Sequence, residues 1–331
     1  MPDALSILVT CRTCGDSFLK SLSTLGKVVP SPLRSVRSLT ERELIEQVRG
    51  FDIVVAGVDP FTQGVIEEGA RHQLSIIARF GIGLDNVDLK AATANKVIVT
   101  YAPRAAVVSV AEFALAMSLA LLRRIPEATA AVKSGSWPMG SMKGVEINGK
   151  TVGIVGLGAI GGTVAGMFTA LGAKVIAYDP YKAEDSRLTG LDRLLKSSDI
   201  ITIHSALTSS SKHLIGKREL HMMKESAILV NTSRGALVDE VALYDALVEG
   251  KIAGAALDVL EKEPPARDNP LSKLPNVIVT PHVAGNTEEA TERMEEVLTE
   301  DIRRVIKGEP PLFPANPEVF AGLARGNLRS S

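Results

Sequence analysis

The sequence predicts an α/β protein built on parallel sheets, and three observations predict it. Short apolar, β-rich runs alternate with helical patterns along most of the chain. Polar residues repeatedly follow those runs, the pattern of strand ends that gather along one edge of a parallel sheet. Residues 150–179, KTVGIVGLGAIGGTVAGMFTALGAKVIAYD, then read as strand, glycine turn, helix, strand and acid.

The elements follow in order. Residues 6–10 (SILVT) form a first strand and residues 17–25 a helix. Cys11 and Cys14 lie between them with the spacing of a redox pair. There is no further cysteine to complete a four-thiolate zinc site, and the two are read as incidental thiols. Residues 39–48 form a helix opened by a capping box, Thr40 with Glu43. Strands are predicted over 51–58, 75–78 and 97–100, with helical patterns near 62–69 and 88–94. The loop RFGIGLDNVD at 79–88 follows a strand. The backbone N–H groups of Gly81, Ile82 and Gly83 could hold a carboxylate there and Arg79 could add a charge, although a plain βα turn reads equally well.

Residues 107–122 form a long apolar helix, and Pro126 starts another. Residues 135–148 are irregular, with Trp137 expected to anchor them. In the central unit, Val164, Met167, Phe168 and Leu171 point inward and Gly172 stops the helix. Later strands end in His204 (200–203), in Asn231 to Gly235 (227–230), in Asp258 (253–257) and in Thr280, Pro281 and His282 (277–279). A helix over 239–249 ends before Gly250. Residues 286–306 form an amphipathic helix with Met294, Val297, Leu298, Ile302 and Ile306 inward. Residues 313–320 form a proline-bearing tail.

Each part of the central unit has a chemical reason. Gly156 turns the chain sharply out of its strand, Gly158 lets backbone approach a pyrophosphate, and Gly161 lets helix and strand pack closely. The helix start at Ala159 and Ile160 offers N–H groups and the positive end of a dipole. Asp179 can accept ribose hydroxyls and would repel a 2′-phosphate, so NAD is expected over NADP, with Lys182 and Arg187 the nearby cations.

The 331 residues predict about two domains. A net charge of −1 without a long basic run gives no electrostatic footprint for nucleic acid. The longest apolar stretch, 107–122, is short for a bilayer and contains Glu112, so no membrane partner is expected. No basic segment leads into an apolar stretch at the start, so no secretory leader is expected. Two cysteines make no disulfide framework, and a cytoplasmic setting follows.

A nicotinamide enzyme needs a proton carrier and a substrate anchor. His282 is the best carrier, because an imidazole exchanges protons near neutral pH. Glu263 could orient it by a hydrogen bond. Arg234 offers a planar fork that matches a carboxylate and could polarise a carbonyl. His72, His213 and His221 read as surface residues and His204 as structural.

The ordered segments ARFGIGLDNVD (78–88), VAEFALA (110–116), GKTVGIVGLGAIG (149–161), NTSRGALVDE (231–240), GAALDVLEKEP (254–264) and TPHVAGNT (280–287) resemble the D-isomer-specific 2-hydroxyacid dehydrogenase family over nearly the whole chain. The family includes D-3-phosphoglycerate dehydrogenase and hydroxypyruvate/glyoxylate reductase. The resemblance implies Arg234, Glu263 and His282 as the catalytic set. It implies NAD contacts from Ala159, Ile160, Asp179, Thr208, Thr232, Ser233, Asp258 and Gly285, and a substrate carboxylate on the 81–83 loop. It implies two doubly wound parallel-sheet domains, a Rossmann NAD-binding domain (106–284) inserted into a flavodoxin-like substrate domain (1–105 and 285–331), closing like a hinged clamp.

A homodimer through the cofactor domain is also implied. Ala206 stands where relatives often carry proline, and serine feedback through the C-terminal regulatory extension of longer phosphoglycerate dehydrogenases is not expected. A 3-phosphoglycerate substrate is the first expectation, with Arg79, Arg104 and Lys143 as candidate phosphate cations. Hydroxypyruvate or glyoxylate comes next. NAD-sensing corepressors share the motif set and form a remote alternative.

Overall fold

A computed structural model describes residues 5–323. The reading of the chain start as leaderless falls partly on residues 1–4, outside that range. The chain divides into two compact units: Met1–Ala106 with Asn286–Ser331, and Val107–Gly285 between them in sequence.

The first unit carries a five-stranded sheet: β1 (Ser6–Val9), β2 (Lys27–Pro30), β3 (Ile53–Ala56), β4 (Ile76–Arg79) and β5 (Ile98–Tyr101). Every pairing is parallel, in the order β2-β1-β3-β4-β5. That order is flavodoxin-like. β3 and β4 are buried along their whole length, as strands covered on both faces must be. Helices Asp16–Ser23, Glu41–Gln47, Gln63–His72 and Leu89–Ala94 connect the strands. The capping box forms as expected, Thr40 accepting from the Glu43 N–H while the Glu43 carboxylate accepts from the Thr40 N–H.

The long helix Glu288–Ile306 returns to this unit and buries Ala290, Met294, Leu298 and Ile302. It also buries Asp301, which accepts from Thr100 Oγ1 on β5 and from the Leu312 and Phe313 N–H groups. Burial raises the Asp301 carboxyl above its ordinary pKa, against the opposing effect of these bonds.

The second unit carries β6 (Thr151–Val155), β7 (Lys174–Tyr178), β8 (Ile200–Ile203), β9 (Ile228–Asn231), β10 (Gly254–Leu257) and β11 (Val277–Val279). They pair in parallel in the order β7-β6-β8-β9-β10-β11. This is the dinucleotide-binding order 3-2-1-4-5-6, with the third strand reduced to a single parallel bridge, Ala177 to Leu188, beside β7, and with β11 added beyond the sixth. The apolar helix Val107–Leu122, which buries Ala111, Ala114 and Met117, packs against the helix Ala159–Ala170 and strands β9 and β10.

The register positions the chemistry. Tyr178, Val155, Ile203, Asn231, Leu257 and Val279 are successive Cα partners across the sheet, and each is the last residue of its strand. One residue further on stand Asp179, Gly156, His204, Thr232, Asp258 and Thr280.

Several expectations are corrected. Trp137 is 78% exposed instead of packing as an anchor, and Met139 is 84% exposed. Leu171 caps its helix at the surface instead of packing inward. Ile306 is exposed and Val305 takes its place in the core. β2 was not anticipated, since KVVP is half-exposed and ends in proline. The tail bridges Thr100 through Pro314 and then forms the helix Pro317–Leu323.

Among the described residues, no helix is long and apolar enough to cross a membrane. No cluster of His, Cys, Asp or Glu side chains among them could hold a metal ion.

Candidate active site

The glycine turn after β6 is shaped by close approaches. Gly156 has φ +94°, and a Cβ there would lie 2.7 Å from the His204 carbonyl carbon. A Cβ on Gly161 would lie 2.0 Å from the Gly156 oxygen. Gly158 differs, because a Cβ there would meet nothing within 4 Å. It is the N-cap of the helix Ala159–Ala170, and no side chain caps that end. Open space beside uncapped N–H groups at Ala159 and Ile160 is a cradle for a pyrophosphate.

Asp179 Oδ2 accepts from the Leu157 N–H at 2.9 Å and Oδ1 from the Tyr181 N–H at 3.0 Å. The carboxylate thus pins the turn and keeps spare lone pairs for ribose hydroxyls. Thr232, one residue past β9, has a buried Oγ1 with no partner among the described residues. A buried hydroxyl left unpaired in this way fits a bound polar ligand. These features fit a dinucleotide.

The turn after β11 hangs on Asp258. Its Oδ1 accepts from Thr280 Oγ1 at 2.6 Å and the Val283 N–H at 3.0 Å, and its Oδ2 from the Ala284 N–H at 2.8 Å. Its carbonyl accepts from the His282 N–H at 2.8 Å. These bonds hold His282 at φ +55°, a left-handed conformation that costs a non-glycine residue free energy. The resemblance implies an NAD contact from Asp258; in the structure both of its oxygens are bonded within the His282 turn.

Glu263 Oε2 lies 2.7 Å from His282 Nδ1, and its Oε1 accepts from the Leu260 N–H at 3.0 Å. Burial pushes the Glu263 carboxyl up. The His282 hydrogen bond and charge, the Leu260 N–H and the Arg234 charge outweigh it and hold the group below the usual carboxylate range. An ionised carboxylate only accepts, so Nδ1 carries the proton and Nε2 is left for the reacting oxygen.

Arg234 reaches the pair through a stapled turn. Asn231 Nδ2 donates to the Arg234 carbonyl at 2.9 Å while Oδ1 accepts from the Ser233 N–H at 3.0 Å. Ser233 Oγ donates to the Ser205 carbonyl at 2.5 Å. A Cβ on Gly235 would lie 1.9 Å from the Leu260 carbonyl carbon, so the turns after β9 and β10 touch backbone to backbone. Asn231, Thr280 and Gly235 were not singled out in the sequence. Only their places beside strand ends signalled them.

Other candidates fall elsewhere. Thr208 is exposed and closes a serine-rich turn with Ser210 and Ser211. Gly285 is half-buried, next to the Asp258-bound segment. His204 Nε2 pairs with Thr202 Oγ1 at 2.8 Å, and burial pushes the ring down to about 3, so it is neutral at physiological pH.

In the first unit, Gly81 (φ +145°), Ile82 and Gly83 bend directly after β4. Arg79 is only 7% exposed, donates from Nε to Asn86 Oδ1 at 3.1 Å and lies against the Phe80 carbonyl. A Cβ on Gly81 would sit 2.3 Å from its Nη1, so Arg79 underpins this loop instead of offering a surface charge.

With this geometry in place, the comparisons are informative. The sequence profile described as "D-isomer specific 2-hydroxyacid dehydrogenase, NAD binding domain" matches residues 115–284. D-3-phosphoglycerate dehydrogenase of Methanocaldococcus jannaschii is 42% identical over 92% of this chain and 58% of its own. Glyoxylate reductase of Korarchaeum cryptofilum is 40% identical over 85% of this chain and 87% of its own. A solved structure of D-lactate dehydrogenase from Aquifex aeolicus, complexed with NAD and lactic acid, superposes with a TM-score of 0.81 at 28% identity, covering 96% of this chain and 98% of that one. The chain spans little more than half the length of the phosphoglycerate dehydrogenases it matches.

The two glycines give opposite expectations. Gly158→Ala should leave stability unchanged and weaken NADH binding about tenfold, because its methyl would enter only the cradle. Gly161→Ala should cost about 1–3 kcal/mol of stability, because its methyl meets backbone. Thermal unfolding and NADH fluorescence titration measure both. Unchanged NADH affinity in Gly158→Ala would remove the cradle from this turn.

Proposed function

The chain belongs to the D-isomer specific 2-hydroxyacid dehydrogenase family, with residues 115–284 matching its NAD-binding domain, and from that premise we propose that it interconverts a D-2-hydroxyacid and its 2-oxoacid. The observation that carries the proposal is the 2.7 Å Glu263–His282 pair beside Arg234. NAD, when bound, takes up the hydride from the substrate C2 or supplies it. Ala159 and Ile160 would hold its pyrophosphate and Asp179 its ribose, with Thr232 and Ser233 just past β9 and Thr208 and Gly285 as further proposed contacts.

The protein's own part is positional and acid–base. The Arg234 guanidinium binds the substrate carboxylate and polarises the neighbouring C2–O bond. His282 Nε2 takes the hydroxyl proton during oxidation and returns it during reduction. Glu263 fixes the ring through Nδ1 and stabilises the imidazolium when it forms. The Asp258 bonds hold the His282 backbone while this proton moves.

A glycerate-type acid is the substrate class proposed, with 3-phosphoglycerate first because the Methanocaldococcus relative is named for it. Hydroxypyruvate or glyoxylate is the second reading, favoured by the Korarchaeum relative, most of whose length this chain spans. Burial of Arg79 leaves the exposed Arg104 and Lys143 as the remaining phosphate cations considered. The setting proposed is the cytoplasm, in keeping with two free cysteines.

We also propose a homodimer through the second unit. Ile125, Val132, Trp137, Met139 and Val145 are exposed apolar residues on the helix Ile125–Lys133 and the segment after it. A second copy is the occupant the family reading supplies, with Trp137 as its aromatic anchor.

Arg234→Ala should lower turnover of every 2-oxoacid substrate by about a hundredfold or more while leaving NADH affinity within twofold or so. Steady-state assays with 3-phosphohydroxypyruvate, hydroxypyruvate and glyoxylate, alongside NADH titration, check this; full turnover in the variant would sink the Arg234 assignment. For the dimer, Trp137→Asp should sediment as a monomer where the parent sediments as a dimer. A variant that stays dimeric would place the interface elsewhere.

A further inference from the structure

We propose that Cys11 and Cys14 form a reversible dithiol–disulfide couple, oxidised by thiol–disulfide exchange with a small disulfide such as glutathione disulfide. The proposal stands apart from the oxidoreductase reading, because both residues lie in the first unit on the turn after β1, where the assigned chemistry uses neither.

The geometry is that of a poised pair. Both cysteines are free and buried. Cys14 Sγ lies 3.6 Å from the Cys11 carbonyl oxygen, so both sulfurs belong to one tight turn. Arg34 reaches over the turn, and its Nη1 donates to Cys14 Sγ at 3.3 Å and to the Cys11 carbonyl at 2.9 Å. Thr13 Oγ1 is 3.6 Å from Cys11 Sγ. A guanidinium, a hydroxyl and a neighbouring thiol therefore all favour negative charge on sulfur at this turn.

The titration of the pair agrees with this arrangement. Hydrogen bonding from Cys14 draws the Cys11 thiol down to about 7, against the opposing effect of burial. The same bond and burial push Cys14 well above the usual thiol range, with Arg34 opposing and Glu295 reinforcing that rise. One sulfur is the nucleophile and its neighbour holds a proton in reserve.

Burial by itself would make these thiols inert. Here the segment between the two sulfurs reaches solvent. Arg12 and Thr13, between the two cysteines, are exposed. A cavity of about 400 Å³ is lined by Thr13, Gly15 and Ser17 from this turn and by Thr287, Thr291 and Glu295 from the long helix. Residues on either side of Cys14 therefore form its wall.

The exchange balances without any further reagent. The Cys11 thiolate attacks one sulfur of the small disulfide. That S–S bond breaks, a mixed disulfide forms on Cys11, and one small thiolate leaves. Cys14 then gives up its proton and attacks Cys11 Sγ, and the second small thiol leaves carrying that proton. Two protein sulfurs are oxidised and two small-molecule sulfurs are reduced.

The whole protein is equilibrated with graded mixtures of reduced and oxidised glutathione, quenched in acid, alkylated under denaturing conditions and analysed by peptide mass spectrometry. The peptide holding both cysteines is expected to lose two hydrogens in a fraction that tracks the glutathione ratio and is reversed by excess thiol. Cys14→Ser should instead accumulate a glutathione adduct on Cys11, and Cys11→Ser should accumulate neither product. Full alkylation of both thiols at every ratio would overturn the proposal, as would disulfides formed only between chains. An adduct confined to Cys14 would overturn the assignment of Cys11 as nucleophile. Should a variant fail to fold, the wild-type titration alone decides between couple and inert pair.

Discussion

Everything at the candidate site depends on the register of one parallel sheet. Six strands end on the same row, from Tyr178 through Val155, Ile203, Asn231 and Leu257 to Val279. Each chain segment therefore leaves the sheet at the same level, and residues distant in sequence become neighbours. A one-residue slip in β10 would move Asp258 onto the opposite face and dismantle the turn that carries His282. Close backbone contact sharpens the arrangement. Gly235 has no room for a Cβ against Leu260, so the turns bearing Arg234 and Glu263 are held together by main chain and not by flexible side chains.

The charges follow from that placement. Burial pushes the Glu263 carboxyl up, yet the His282 hydrogen bond and charge, the Leu260 N–H and the Arg234 charge hold it below the usual carboxylate range. Removing either partner would change what the carboxylate does as well as what the partner does, so the three are not independent contributors. The Asp258 carboxylate works in the same way one layer back. Its three accepted hydrogen bonds fix the turn and hold His282 in a left-handed conformation it would not adopt freely.

Much of this was legible in the sequence. The buried strands announced themselves as apolar runs, and Arg234, Glu263 and His282 stood where a parallel sheet collects polar residues. The parts that stayed hidden depend on long-range geometry. Asn231 as the staple of the Arg234 turn depends on which way an amide points. Arg79 looked like a free cation and proved to be a buried brace for Gly81. Edge strand β2 is too short and too exposed for a periodic signal, and the third Rossmann strand survives only as the Ala177–Leu188 bridge. Trp137 misled for a different reason: an apolar ring suggests burial, but here it stands on the exposed surface.

If Arg234, Glu263 and His282 serve as proposed, hydride passes between bound nicotinamide and C2 of a 2-oxoacid that Arg234 anchors and His282 protonates. The most direct test supplies NADH deuterated at C4 of the nicotinamide, together with hydroxypyruvate, glyoxylate or 3-phosphohydroxypyruvate, and locates the label in the product. The account predicts deuterium at C2 of the 2-hydroxyacid, in the D configuration wherever C2 of the unlabelled product is already a stereocentre. NADH that binds but delivers no label to C2 of any of these acids, or a product of the L configuration, would contradict it.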